Sequence, residues 1–140
     1  RSANFVTKKI AIAAHEIANG SHQKLYLGNI DIIRDWGWAE EYVEAAWKML
    51  NRDAPDDFII ATGVSQSLRD LARNIFSHAG LKLDDHLVID NNLFRNNEPA
   101  SIKANTSKAK KLLPWSPKIY GEAIAKYIYI DSLKESKVQI

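Results

Sequence analysis

The sequence has no cysteine, and that absence removes three chemistries at once: disulfide cross-links, thiolate nucleophiles and cysteine-ligated metals. A reducing, cytoplasmic setting fits it. Glycine and proline are sparse, at six and four of 140 residues, which excludes collagen-like and low-complexity chains. There is little excess charge of one sign: a net +2 is far from the concentrated basic face that nucleic-acid binding needs. No apolar run reaches the length of about 18 residues that reads as a membrane span. The first lysines lie inside an amphipathic pattern rather than ahead of an apolar block, so no targeting segment is read. No strand-like run leads into a Gly-rich phosphate loop of the dinucleotide or P-loop kind, so no cofactor site of that sort is expected within the chain.

What is present is ordinary for a folded protein: 46% hydrophobic and 26% charged residues, enough for one domain over residues 1–140. Val6, Ile10, Ala13, Ala14 and Ile17 recur at helical spacing, with Asn4 as a cap and Gly20 after them. Leu25, Tyr26 and Leu27 predict a short strand, and residues 29–34 a second extended piece. A helix follows over 39–50, with Ala39, Val43, Ala46, Trp47 and Leu50 on one face. Phe58, Ile59, Ile60 and Ala61 read as a buried strand closing at Thr62 and Gly63. The next helix is signalled at both ends, by Ser67 and Asp70 spaced as a capping box and by Gly80 as the stop. Leu87 to Ile89 predicts a third short strand, 90–105 a long irregular segment, 107–113 a short helix, and 119–136 a last helix with Tyr120, Ala123, Ile124, Tyr127 and Ile128 inward. The alternation implies an α/β (α+β-like) domain with a few short, largely parallel strands and about five helices.

The four histidines show no metal-ligand spacing, so no metal site is expected, and no serine lies in a nucleophile elbow. Neighbouring carboxylates such as Glu40 with Glu41 point apart and read as solvated surface. Lys103, Lys108, Lys110 and Lys111 read as solvated helix surface before they read as a phosphate patch. Arg34, followed by Asp35, Trp36 and Gly37, sits where an extended piece gives way to a helix. Its guanidinium fork suits a diphosphate, with Gly37 allowing close backbone approach; the competing reading is a surface arginine paired with Asp35 or Glu40. Arg95, opening the polar loop with Glu98 three residues on, reads alone as a surface residue.

The motifs Asn4-Phe5-Val6-Thr7-Lys8-Lys9-Ile10, Leu27-Gly28-Asn29, Arg34-Asp35-Trp36-Gly37, Phe58-Ile59-Ile60-Ala61-Thr62-Gly63, Phe94-Arg95 with Glu98, Ser107-Lys108-Ala109-Lys110 and Trp115-Ser116-Pro117 resemble, in order and spacing, GDP-mannose 4,6-dehydratases. That family belongs to the extended short-chain dehydrogenase/reductases. The resemblance implies a lyase that converts GDP-mannose to GDP-4-keto-6-deoxymannose with NADP, on the way to GDP-deoxyhexoses. It also implies a carboxy-terminal substrate-binding part cut from a longer enzyme, without the Rossmann half and its Thr, Glu and Tyr-x-x-x-Lys set, and so no catalytic residue here and no turnover alone. By position, Arg1 matches a contact to NADP, Val6 and Lys9 contacts to the GDP part, Arg34 and Arg95 arginines that grip the diphosphate, and Glu98 an acid beside the nucleotide pocket. The partners implied are a GDP-sugar, the missing Rossmann half and further copies in a homo-oligomer. The alternatives are a piece of another nucleotide-sugar dehydratase, epimerase or reductase, or a stand-alone binding module. Asn96 stands where the family has proline after the arginine, Pro99 and Ala100 where it has Val and Asp, Ala104 and Asn105 where it has Gly and Asp, and Pro114 where it has glycine. Proline fixes φ, so the loop carrying Arg95 is less restricted here.

Overall fold

The computed structural model describes residues 5–136; Arg1 and the expected cap Asn4 lie outside them. Three helices form the main core: α1 (Val6–Ala18), α3 (Leu68–His78) and α5 (Glu122–Ser136), each packed on the other two. Of the stripe its spacing predicts, α1 buries Ile10, Ala13, Ala14 and Ile17 and half-buries Val6; it also buries Thr7 and Ala11, and it ends where Gly20 takes φ 93°. α3 buries Leu68, Leu71, Ala72, Ile75 and Phe76. Complete burial of a side chain such as Phe76 or Ile75 contributes about 1.5–3 kcal/mol. The Ser67 hydroxyl accepts the Asp70 N–H at 3.0 Å and donates to the Asp70 carboxylate at 2.6 Å, fixing the start of α3.

Among the described residues, four strands of three residues make two small sheets. β1 (Leu25–Leu27) pairs in parallel with β4 (Leu87–Ile89), and β2 (Ile33–Asp35) pairs antiparallel with β3 (Ser65–Ser67). The second extended piece thus forms β2 only at its end, and the antiparallel β2–β3 pair stands beside the parallel one.

Helix α2 (Ala39–Leu50) keeps its expected bounds but not its expected face: within it only Ala45 is buried, in a separate cluster with Ala109, Leu113 and Trp115. α4 (Ser107–Leu112) supplies Ala109 to that cluster.

The expected strand at 58–61 is absent. The Asp35 carboxylate takes the N–H groups of Thr62 (3.1 Å) and Gly63 (2.7 Å), and among the described residues no sheet edge lies against 58–61, so the β-pairing falls to Ser65–Ser67 instead. α5 begins at Glu122 rather than 119. The Glu41 carboxylate binds the N–H groups of Lys118 and Ile119, and Gly121 at φ 57° breaks the backbone before the helix. Of its expected inward residues Ile124 is buried and Ile128 half-buried, whereas Tyr120, Ala123 and Tyr127 are exposed and Ala125 takes an inward place.

Candidate functional site

Arg34 is the middle residue of β2, held in register opposite Gln66. The long loop after β4 returns to that strand: Ile33 N–H donates to the Ala100 carbonyl at 2.8 Å, and Ile102 N–H donates to the Ile33 carbonyl at 3.2 Å. This closure carries Glu98 to Arg34 across 64 residues of sequence, and an Arg34 Nη2 to Glu98 Oε1 ion pair forms at 3.4 Å. Nη1 donates to the Ile33 carbonyl at 2.8 Å and fixes the side chain's direction. The two side chains are 19% and 20% exposed, which shields the pair from most of the solvent. Neither Asp35 nor Glu40 is the partner of Arg34, because Asp35 is spent on the 62–63 backbone.

Asn97, just before Glu98, takes φ 61°, a left-handed conformation that asparagine tolerates better than most residues. It turns the chain back toward β2. At the other end of the loop, a Cβ on Gly28 would stand 2.5 Å from the Leu93 carbonyl oxygen, so only glycine lets the end of β1 lie against residues 93–94. Arg95 follows directly. It is exposed, and among the described residues it makes no hydrogen bond or ion pair. Lys9, one turn along α1 from the half-buried Val6, donates from Nζ to the Tyr26 carbonyl of β1 at 2.6 Å.

The structure therefore joins Arg34 with Glu98 directly, anchors Lys9 on the Tyr26 carbonyl in the middle of β1, and leaves Arg95 exposed on the loop whose residues 93–94 lie against Gly28. Arg1 lies outside the described residues. Gly37 serves a different close approach from the expected one: the Tyr42 ring covers it, where a Cβ would collide.

Sequence reasoning missed a cavity of about 260 Å³ lined by Thr7, Ala11, Trp36, Trp38, Ile128 and Asp131, among others. Its signal was the Trp-Gly-Trp run. Ala11 is two residues from Lys9, hence about 200° around the helix, and the cavity lies on the far side of α1 from the Lys9 contact. The Arg34–Glu98 pair, whose chemistry is specific, carries more weight than this mainly apolar hollow. Among the described residues no three His, Asp or Glu side chains gather as a metal site, and no helix is long and apolar enough to cross a membrane.

Comparison with known proteins adds a consistent result. A family model described as GDP-mannose 4,6 dehydratase matches residues 1–128. GDP-mannose 4,6 dehydratase 1 of Arabidopsis thaliana is 42% identical over 137 residues, covering 98% of this chain and 38% of the relative. The human GDP-mannose 4,6 dehydratase is 34% identical over 149 residues, covering 94% of this chain and 40% of the relative. Among solved structures, RMD from Pseudomonas aeruginosa complexed with NADPH superposes with a TM-score of 0.84 at 20% identity, over 96% of this chain and 44% of that one; at that identity the likeness is one of fold. The chain thus spans about two fifths of the length of the curated relatives it matches.

Proposed function

We propose, for a chain that belongs to the GDP-mannose 4,6-dehydratase family, that it supplies the GDP-sugar contacts of such an enzyme. The observation that carries this is the Arg34–Glu98 pair, a part-buried guanidinium held against the 90–102 loop. If Lys9 and Arg95 reach the same ligand, as the family resemblance implies, the site would offer three cations against one carboxylate. A diphosphate bearing roughly two negative charges is the complementary ligand, and charge-assisted bidentate bonds are the strong kind. In this reading Val6 packs beside the nucleotide and Glu98, displaced from Arg34 by phosphate, accepts from a base or ribose donor.

The complete enzyme would turn GDP-mannose into GDP-4-keto-6-deoxymannose and water, with NADP supplying the hydride acceptor at C4 and the donor at C6. The residues of this chain do none of that chemistry: they hold the nucleotide diphosphate while the sugar reaches the other half. In this reading the cofactor cradle belongs to the part of the enzyme that this chain does not span. A homo-oligomeric cytoplasmic enzyme completes the reading.

The test is a nitrogen-15 titration of the chain with GDP-mannose, GDP and UDP. We expect weak binding, shifts at Lys9, Arg34, Arg95 and Glu98, and a preference for GDP over UDP. Arg34→Ala should weaken GDP binding about tenfold, the loss of a charge-assisted hydrogen bond. An equal response to UDP, or an Arg34→Ala chain that binds as before, would overturn the assignment.

A further inference from the structure

Asn19 is the one asparagine of the sequence that a glycine follows. Asparagine amides are among the labile groups of a chain, and a following glycine brings no Cβ to keep its own nitrogen from the asparagine Cγ. Here the pair closes the end of α1. Asn19 is the C-cap at ψ 16° and Gly20 takes φ 93°; Gly20 N–H donates to the Ile17 carbonyl and Ser21 N–H to the Glu16 carbonyl, both at 3.0 Å. These are the two bonds of a Schellman cap. The apolar contact that usually accompanies them is missing, since the residues placed to make it, Ser21, Glu16 and His15, are polar. A Cβ on Gly20 would meet no atom within 4 Å, and Asn19 and Gly20 are both exposed. The cap therefore opens at little cost, and opening frees the Gly20 nitrogen.

A proton carrier stands beside the amide. Asn19 Nδ2 donates to the His15 carbonyl at 2.8 Å and lies 3.3 and 3.4 Å from the two ring nitrogens of His15, one helical turn back. We propose that Asn19 is a self-modification site, whose amide is lost in a step that His15 assists. The Gly20 nitrogen bonds to Asn19 Cγ, the Cγ–Nδ2 bond breaks, and ammonia leaves with the proton that the Gly20 nitrogen gives up. The imidazole, set against the leaving nitrogen, delivers a proton to it and recovers one from Gly20 through solvent. Water then opens the cyclic imide: addition at Cγ gives aspartate, and addition at the Asn19 main-chain carbonyl gives isoaspartate. Either product puts a negative charge at the C-terminal end of α1, three residues from Glu16, and removes the bond to the His15 carbonyl. Isoaspartate also adds a backbone carbon to the turn between α1 and β1, the two elements that the Lys9 to Tyr26 hydrogen bond ties together.

Incubation of the chain at neutral pH, followed by peptide mapping with a fragmentation that separates aspartate from isoaspartate, tests this. Both products should accumulate at position 19 well before any at Asn105, which is exposed too but is followed by threonine. His15→Ala should slow the conversion about tenfold, less than a fully placed acid–base group supplies because the cap must open first. Imidazole added to that variant should restore the rate. Amide exchange of Gly20 and Ser21, which lie beyond α1, corrects each rate for cap opening. Asn19→Asp should lower the Tm by a few degrees and quicken exchange of those two amides. Equal rates at Asn19 and Asn105, or a His15→Ala chain that converts as fast after the correction, would overturn the proposal. An unchanged Tm in Asn19→Asp would overturn the structural consequence alone.

Discussion

Gly28 does the most at the residue scale for the least mass. Its missing Cβ lets the Leu93 carbonyl approach the end of β1, and the colliding atoms would be backbone, which cannot swing aside. Gly28→Ala should therefore cost about 1–3 kcal/mol and lower Tm by roughly 5 °C, with the resonances of residues 93–95 displaced. An unchanged Tm would show that the loop gives way and is not pinned there. Single residues were also where the sequence was least legible. Nothing in the spacing of Arg34 and Glu98 announces a contact; it is made by the Ile33 and Ser101 bridge that returns the long loop to β2. Gly37 was legible as a site of close approach, but what approaches is Tyr42, a residue whose sequence pattern says only that it lies on a helix.

At the scale of elements, helices were readable because their signals are local. α3 declares its start with Ser67 and Asp70 and its stop with Gly80 at φ 73°, and it forms between those marks. Ser67→Ala should remove about 1 kcal/mol of stability by loss of the cap, measured by denaturant unfolding; a loss near zero would mean the helix start is held by packing alone. Strands were less readable because a strand is made by its neighbour. The run at 58–61 has the pattern and lacks the partner, whereas Ser65–Ser67, without a hydrophobic pattern, pairs with β2. A second link joins the 53–57 turn to α4. The hydrogen bond from Lys108 to Asp56, at 2.5 Å, holds that carboxyl below its ordinary value of 3.8, with the Asp57 N–H adding to the effect. A depressed carboxyl pKa stabilises the fold fully above the unfolded value and less as pH falls through the folded one, so the link should loosen in acid below about pH 4. A carboxyl carbon-13 titration checks it: in Lys108→Ala the Asp56 midpoint should move back up toward its ordinary value, and an unmoved midpoint would remove the ion pair.

The whole molecule has two apolar clusters of unequal depth. The larger joins α1, α3 and α5 to both strands of the parallel sheet, with Ile10, Leu71, Ile75 and Phe76 fully enclosed. The smaller has four buried residues, Ala45, Ala109, Leu113 and Trp115, and two of those are alanines. Because the free energy of local opening follows buried apolar contact, the two should not open together. The amides of α1 and α3 should exchange only through global unfolding, while those of α2 and α4 should exchange faster and with a weaker dependence on denaturant, since a partial opening exposes less surface. Native-state hydrogen exchange across a denaturant series separates the two. If α2 amides merged with those of α3 at every denaturant concentration, the clusters would be one cooperative unit and the small one would be stabilised by more than its four buried side chains. The expected order also bears on the nucleotide site. Lys9 and the β1 end are fastened to the larger cluster through α1 and Leu25 and Leu27, and Arg34 sits on β2 between Ile32 of that cluster and the loop. Loosening of α2 in mild denaturant should therefore leave the GDP-induced shifts at Lys9 and Arg34 in place, and their loss at the same denaturant concentration as α2 protection would show that the site depends on the smaller cluster.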